Sequence, residues 1–305
     1  MGMNLDLTVK IGNSTLPNPV GTASGTFGYG SEYEELIDLS SVGAIYTKAV
    51  TLKPREGNDM PRIIETPSGL INSIGLANVG IDRFISEKMP FLKTLPCAIV
   101  VNVAGSTEEE YLNVVQKLET VDAIWGYEIN VSCPNVKHGG LAFGTDPAQI
   151  ERLTSTLRKL TQRPLIIKLT PNVTDITVIA RAAESGGADA LSCINTLIGM
   201  VIDTKQKKPV LQMKTGGLSG PAIRPVGVAI TYKVSRAVSI PIIGMGGIMN
   251  TDDALQYLLA GASAIQIGTA NFVDPQAPEN ILRGIEEYCE KEGVGSVGEL
   301  NGLME

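Results

Sequence analysis

The chain has 305 residues, 43% hydrophobic and 19% charged, with a formal net charge of −7, which supplies a sizeable core and carries no compositional mark of disorder. An acidic balance without a basic patch argues against a nucleic-acid partner. No stretch approaches the roughly 20 consecutive apolar residues of a membrane span, and Met1 to Ile11 lacks a leader pattern, so the expectation is one cytoplasmic domain over residues 1–305 with no membrane contact.

Leu5 to Leu16 reads as a hairpin around Gly12-Asn13 that caps the bottom of the fold. Eight short apolar segments follow: Pro19 to Ser24, Val42 to Val50, Cys97 to Val103, Ala123 to Cys133, Leu165 to Thr170, Ala188 to Thr196, Pro241 to Gly247 and Ala264 to Thr269. Near-continuous apolar runs suit parallel strands buried on both faces. Between them the period is helical. Tyr111, Val114, Val115 and Leu118 share one face, as do Ile150, Leu153, Leu157 and Leu160. Asp146-Pro147 opens the second of these helices, and Thr251-Asp252-Asp253 opens another with Ala254, Leu255, Leu258 and Leu259 on its apolar face. The alternation predicts an α/β fold, a (β/α)8 TIM barrel with an N-terminal hairpin, with a doubly wound sheet as the alternative. Thr51 to Asn78, Pro134 to Gly144 and Leu197 to Gly220 exceed ordinary connections and follow predicted strands 2, 4 and 6. They read as long loops at the carboxyl-end mouth, where barrels bind ligands.

The cysteines are Cys97, Cys133, Cys193 and Cys289, without a CxxC pair, and His138 is the sole histidine. A disulfide framework, a zinc site and an iron–sulfur cluster held by this chain all lack support, and proton transfer falls to a group other than imidazole. Asn130-Val131-Ser132-Cys133-Pro134-Asn135 supplies a candidate. Pro134 has no N–H for a strand ladder, so the chain is expected to leave the sheet just after Cys133, with the thiol at a strand's carboxyl end. A thiol titrates close enough to neutrality to serve as base or nucleophile, and without a held histidine beside it the base role fits better. Cys97 and Cys193 read as core residues, and Cys289 as part of a late helical face with Ile285 and Tyr288.

Lys48, Asn102, Asn130, Lys168 and Asn195 each lie near the end of a different predicted strand. Ile166, Lys168 and Thr170 share one face of their strand while Leu165, Ile167 and Leu169 share the other, which points Lys168 into the mouth. Two such lysines suggest an anionic or electron-rich ligand. Gly246-Gly247 and Gly268-Thr269 follow predicted strands 7 and 8, where barrels bind phosphate through backbone N–H groups. Asn72-Ser73-Ile74-Gly75-Leu76 could wrap a small polar ring; taken alone it reads as a structured turn.

Together these residues resemble the dihydroorotate dehydrogenases, FMN-dependent (β/α)8 barrels of pyrimidine biosynthesis. The marks run over nearly the whole chain: Thr47-Lys48-Ala49, the Asn72 to Leu76 run, Asn130 to Asn135, the Lys168 strand, Cys193-Ile194-Asn195-Thr196, and the two late glycine segments. The resemblance implies FMN contacts at Ser24, Lys48, Ala49, Asn102, Asn130, Lys168, Ile194 and Gly220, with the phosphate at Gly246, Gly247, Gly268 and Thr269. It implies substrate contacts at Lys48, Asn72, Ser73, Ile74, Gly75, Leu76, Asn130, Asn195 and Thr196, with Asn135 a further candidate, and Cys133 as the base that takes the C5 proton of dihydroorotate while hydride leaves C6 for flavin N5. A cysteine base is similar to the soluble class 1 enzymes. Val136 to Pro147 looks like the NAD-linked type, whose homodimer joins a second subunit bearing FAD and a [2Fe-2S] cluster in a heterotetramer. The alternatives are the fumarate-using type and another FMN barrel acting on a pyrimidine.

Overall fold

The computed structural model describes residues 5–132 and 143–304. The chain opens with the hairpin β1 (Val9–Ile11) and β2 (Ser14–Leu16), paired antiparallel about Gly12, whose φ of +56° suits glycine at a tight turn. Gly12 lies against the Asp189 side chain, which precedes the sixth barrel strand, so the hairpin closes the barrel's amino-terminal end.

The eight expected strands all form. They are β3 (Val20–Thr22), β4 (Ala44–Tyr46), β7 (Ala98–Val103), β8 (Gly126–Asn130), β9 (Leu165–Lys168), β10 (Ala190–Cys193), β15 (Ile242–Met245) and β16 (Ala264–Ile267), and they close in parallel as one eight-stranded barrel. The remaining strands are insertions at the mouth: β5 (Ile63–Thr66), β6 (Gly69–Asn72), β11 (Leu197–Gly199), β12 (Ile202–Asp203), β13 (Lys208–Pro209) and β14 (Gly216–Ser219). Two of the segments expected as loops therefore carry a sheet of their own, antiparallel in the order β11-β14-β6-β5. Neither segment alone offers more than a hairpin, and pairing across the mouth satisfies the backbone groups of both. The third, Pro134 to Gly144, lies almost entirely outside the described residues.

The helices are α1 (Ile81–Arg83) and α2 (Met89–Leu92), joined through a widened turn at Phe84–Lys88, then α3 (Glu108–Leu118), α4 (Pro147–Leu160), α5 (Ile176–Ser185), α6 (Arg224–Ser235), α7 (Thr251–Leu259) and α8 (Ala277–Glu292). Side-chain caps start four of them: Thr107, Asp146, Asp175 and Asn250 accept from backbone N–H groups of the first turn, each worth about 1 kcal/mol. The cap of α7 is thus Asn250, just before the expected Thr251 start. Tyr111, Val114, Val115, Leu118, Ile150, Leu153 and Leu157 are buried as their spacing requires, whereas Leu160 is 38% exposed because α4 ends there. Leu165, Ile167 and Leu169 pack with the α3, α4 and α5 side chains in one cluster. Ile166 packs with Val100, Ala190, Ile243 and the hairpin residues Val9, Ile11 and Leu16 in a second. Among the described residues no helix is long and apolar enough to cross a membrane.

Candidate active site

Halfway up the barrel the interior turns polar. Tyr46, Asn102, Glu128, Lys168, Ser192 and Gln266, one from each of six strands, are buried, and four of them converge on a single carboxylate. Glu128 Oε1 accepts from Asn102 Nδ2 at 2.6 Å and from Lys168 Nζ at 3.1 Å, while Oε2 accepts from Gln266 Nε2 at 2.7 Å and from Ser192 Oγ at 3.0 Å. Strand register explains the convergence, because Asn102 faces Glu128 across β7 and β8, and Ser192 faces Lys168 across β10 and β9. Four donors, one an ammonium, compensate the carboxylate for its lost water.

This arrangement corrects one expectation. Lys168 does enter the barrel, and an anion of the same chain, Glu128, already meets it there, so the lysine alone does not call for an anionic ligand. Sequence reading passed over Glu128 because it sits within an apolar run. The signal was its spacing of two from Asn130, which puts both on one face of β8.

Asn102 Oδ1 and Thr22 Oγ1 are buried with no hydrogen-bond partner among the described residues, while the Tyr46 hydroxyl lies beside the Gln266 amide. Burial pushes the Tyr46 phenol well above its ordinary range, the Glu128 charge pushes the same way, and Gln266 opposes.

At the mouth, β8 ends at Asn130 and not at Cys133. The Asn130 side chain accepts from Ser132 N at 3.3 Å and turns the chain out of the ladder early, while its carbonyl accepts from the Tyr111 hydroxyl at 2.8 Å. Across the ladder Asn130 faces Lys168. Cys133, Asn135 and His138 lie outside the described residues. Lys48 is half-buried just past β4, between buried Thr47 and Ala49. Burial draws its ammonium below the ordinary lysine range, Arg62 adds to this and Glu32 opposes. Ser24 is half-buried in the turn after β3. Ile194 follows a cis peptide bond with Cys193 and donates to the Met245 carbonyl at 3.0 Å.

The antiparallel sheet unites residues far apart in sequence. Asn72 faces Gly217 across β6 and β14 and donates to its carbonyl at 3.4 Å. Thr196, packed beside Gly217, leads into β11 on the other side of β14. Asn195 Oδ1 accepts from Thr196 N at 2.8 Å. The run after Asn72 is tightly held: Ser73 N donates to Arg62 O at 2.8 Å, Asn58 N to Ile74 O at 3.0 Å, and Asn58 Nδ2 to Ser73 O at 2.9 Å. Gly75 and Leu76 both take positive φ, +73° and +58°, which is uncommon for leucine. The Leu76 carbonyl is fixed by Asn78 Nδ2 at 2.7 Å.

The two glycine segments meet in one corner. A Cβ on Gly247 would stand 2.6 Å from Gly220 O, and one on Gly220 would stand 2.7 Å from Gly69 Cα and 3.5 Å from Thr269 Cγ2. Thr269 Oγ1 donates to Ser219 Oγ at 3.0 Å, and Gly268 precedes the short helical turn Thr269–Phe272. Supports that the sequence did not disclose stand behind this corner. The Tyr257 hydroxyl reaches the carbonyls of Gly246 at 2.6 Å and Met245 at 3.2 Å. Buried Asp253 accepts from Met249 N at 2.9 Å and from the Arg224 guanidinium. Both come from α7, where local spacing marks Asp253 only as part of the helix start and gives Tyr257 no distinction.

The chain is similar in sequence to known proteins. The family model described as dihydroorotate dehydrogenase matches residues 6–289. The chain is 53% identical over 299 residues to the dihydroorotate dehydrogenase B (NAD(+)) catalytic subunit of Geotalea daltonii, covering 98% of each chain. It is 53% identical over 303 residues to the protein of that name from Pelobacter propionicus, covering 99% of this chain and all of the other, and 53% identical over 300 residues to that of Desulforamulus reducens, covering 98% and 99%. With its barrel closed, its polar strand ends gathered at one mouth and the family match spanning nearly its full length, the chain belongs to the dihydroorotate dehydrogenase family.

Proposed function

We propose that the chain, acting as one barrel domain, is an FMN-containing catalytic subunit that oxidises dihydroorotate to orotate in de novo pyrimidine synthesis. Electrons leave through a partner subunit bearing FAD and [2Fe-2S] to NAD, the working assembly is a homodimer within a heterotetramer, and its place is the cytoplasm. The family membership and the near full-length likeness to NAD-linked catalytic subunits carry this reading.

The residues present fit FMN. Asn102 Oδ1 is buried without a partner among the described residues, as suits a group that meets a polar ring. The corner of Gly220, Gly246 and Gly247, with φ of +95°, +124° and +72°, holds a backbone conformation that glycine readily adopts, as suits backbone N–H groups turned toward a phosphate. Ser24, Lys48, Ala49, Asn102, Asn130, Lys168 and Ile194 would hold the ring, and Gly246, Gly247, Gly268 and Thr269 the phosphate. When bound, FMN supplies a hydride acceptor at N5.

The chain's own groups do the rest. Asn72, Asn130, Asn195 and Thr196 orient the substrate ring through donors and acceptors of fixed direction. The run Ser73 to Leu76 walls the site against water. Lys48 answers the substrate carboxylate with a charge-assisted hydrogen bond. Cys133 takes the C5 proton as hydride leaves C6. The test is anaerobic reduction by dihydroorotate of FMN-loaded Cys133→Ala. Retained flavin with reduction slowed at least a hundredfold is expected, and unchanged reduction would remove Cys133 from the mechanism. A preparation that is colourless and cannot be reconstituted with FMN would sink the flavin reading.

A further inference from the structure

Glu128 stands outside every role assigned so far, yet the polar layer is organised around it. Its side chain is fully buried, and that of Lys168 is only 6% exposed. Three neutral donors and one cation serve the carboxylate. The Asn102 amide is thereby fixed in direction: Nδ2 is committed to Glu128, and Oδ1 has no partner among the described residues. The Lys168 ammonium is likewise anchored, and its positive charge is offset at a separation of 3.1 Å.

We propose that Glu128 is a positioning residue that sets the electron affinity of the bound flavin, holding Lys168 and Asn102 in place and cancelling most of the lysine's charge. The inference rests on the FMN reading. Two-electron reduction adds negative charge to a flavin, so a neutral Glu128–Lys168 pair favours the reduced form less than a lone ammonium would. In a buried site a unit charge is poorly screened. A merely structural Glu128 would govern stability and FMN affinity and leave the potential alone.

The experiment is a redox titration of FMN-loaded wild type and Glu128→Gln, with the FMN dissociation constant measured alongside. Removing the carboxylate charge is expected to raise the reduced-to-oxidised ratio at a fixed potential on the order of tenfold, an upward shift of about 30 mV for a two-electron couple. An FMN-loaded variant whose potential matches wild type overturns the inference. Breaking a buried ion pair can unfold a chain, so the titration is repeated with Lys168→Gln and with the double variant. Lys168→Gln is expected to shift the ratio toward oxidised flavin, and adding Glu128→Gln to bring it back by a similar factor; no return overturns the inference. A wild-type chain that takes up no FMN fails the cofactor reading itself and takes the inference with it, an outcome distinct from two loaded proteins of equal potential.

Discussion

The hydroxyl of Tyr257 lies 2.6 Å from the carbonyl of Gly246, tying α7 to the glycine turn that follows β15. The phenol is buried and fits only because Gly227 and Gly244 have no side chains; a Cβ on Gly244 would come within 2.5 Å of its ring. The proposed phosphate corner is therefore braced from behind by a helix side chain.

Tyr257→Phe is expected to keep the ring packing and lose the brace. The Gly246 carbonyl would lose its phenol donor, which costs about 1 kcal/mol or somewhat more. FMN affinity should fall severalfold, read by fluorescence titration of the apoprotein. Affinity equal to wild type would show that the turn holds its shape unaided.

Gly247→Ala is expected to be harsher for the cofactor. The new Cβ meets Gly220 O at 2.6 Å and the Arg224 backbone nitrogen at 3.0 Å, and φ is +72°. Strain of about 1–3 kcal/mol in a positive-φ position would open the corner and weaken FMN at least tenfold, while circular dichroism reports an intact barrel.

Lys168→Met should destabilise the chain by about 3–5 kcal/mol, because it leaves the Glu128 carboxylate buried without its cation. Adding Glu128→Gln should recover a large part of that loss, because the uncompensated charge goes with it. Urea unfolding midpoints at constant slope measure both.

The fold should weaken in alkali. Burial raises the Cys97 thiol to about 11 and the Tyr29 phenol to about 12, with Glu32 adding to the latter. Tyr46, Tyr127 and Tyr257 are also raised, chiefly by burial. These acids keep their protons in the folded state after the unfolded chain has released them. Their contribution is thus whole below about pH 9 and is lost as pH rises through 11 to 12. Lys48, drawn below the ordinary lysine range, acts in the opposite sense below 10.5 and offsets only part of the loss. Thermal midpoints that stay level from pH 9 to 12 would contradict this.

The barrel and its strand order were written in local pattern. Eight apolar runs with helical spacing between them suffice, because burial on both faces demands such runs and the handedness of parallel connections leaves few ways to join them. That Lys48, Asn130 and Asn195 lie at or just past strand ends and that Asn102 and Lys168 turn inward was legible for a related reason: local alternation sets which way a strand residue faces. What the sequence could not disclose depends on partners distant along the chain. Glu128 looked like an interruption in an apolar run until Asn102, Lys168, Ser192 and Gln266 met it from four other strands. Segments 51–78 and 197–220 looked like loops because each half of their shared sheet is unstable alone. Tyr257 and Asp253 looked like ordinary positions on a helix because the turn they brace arrives from another strand. Local spacing determined which residues face inward, and only the closed barrel decided which of them touch.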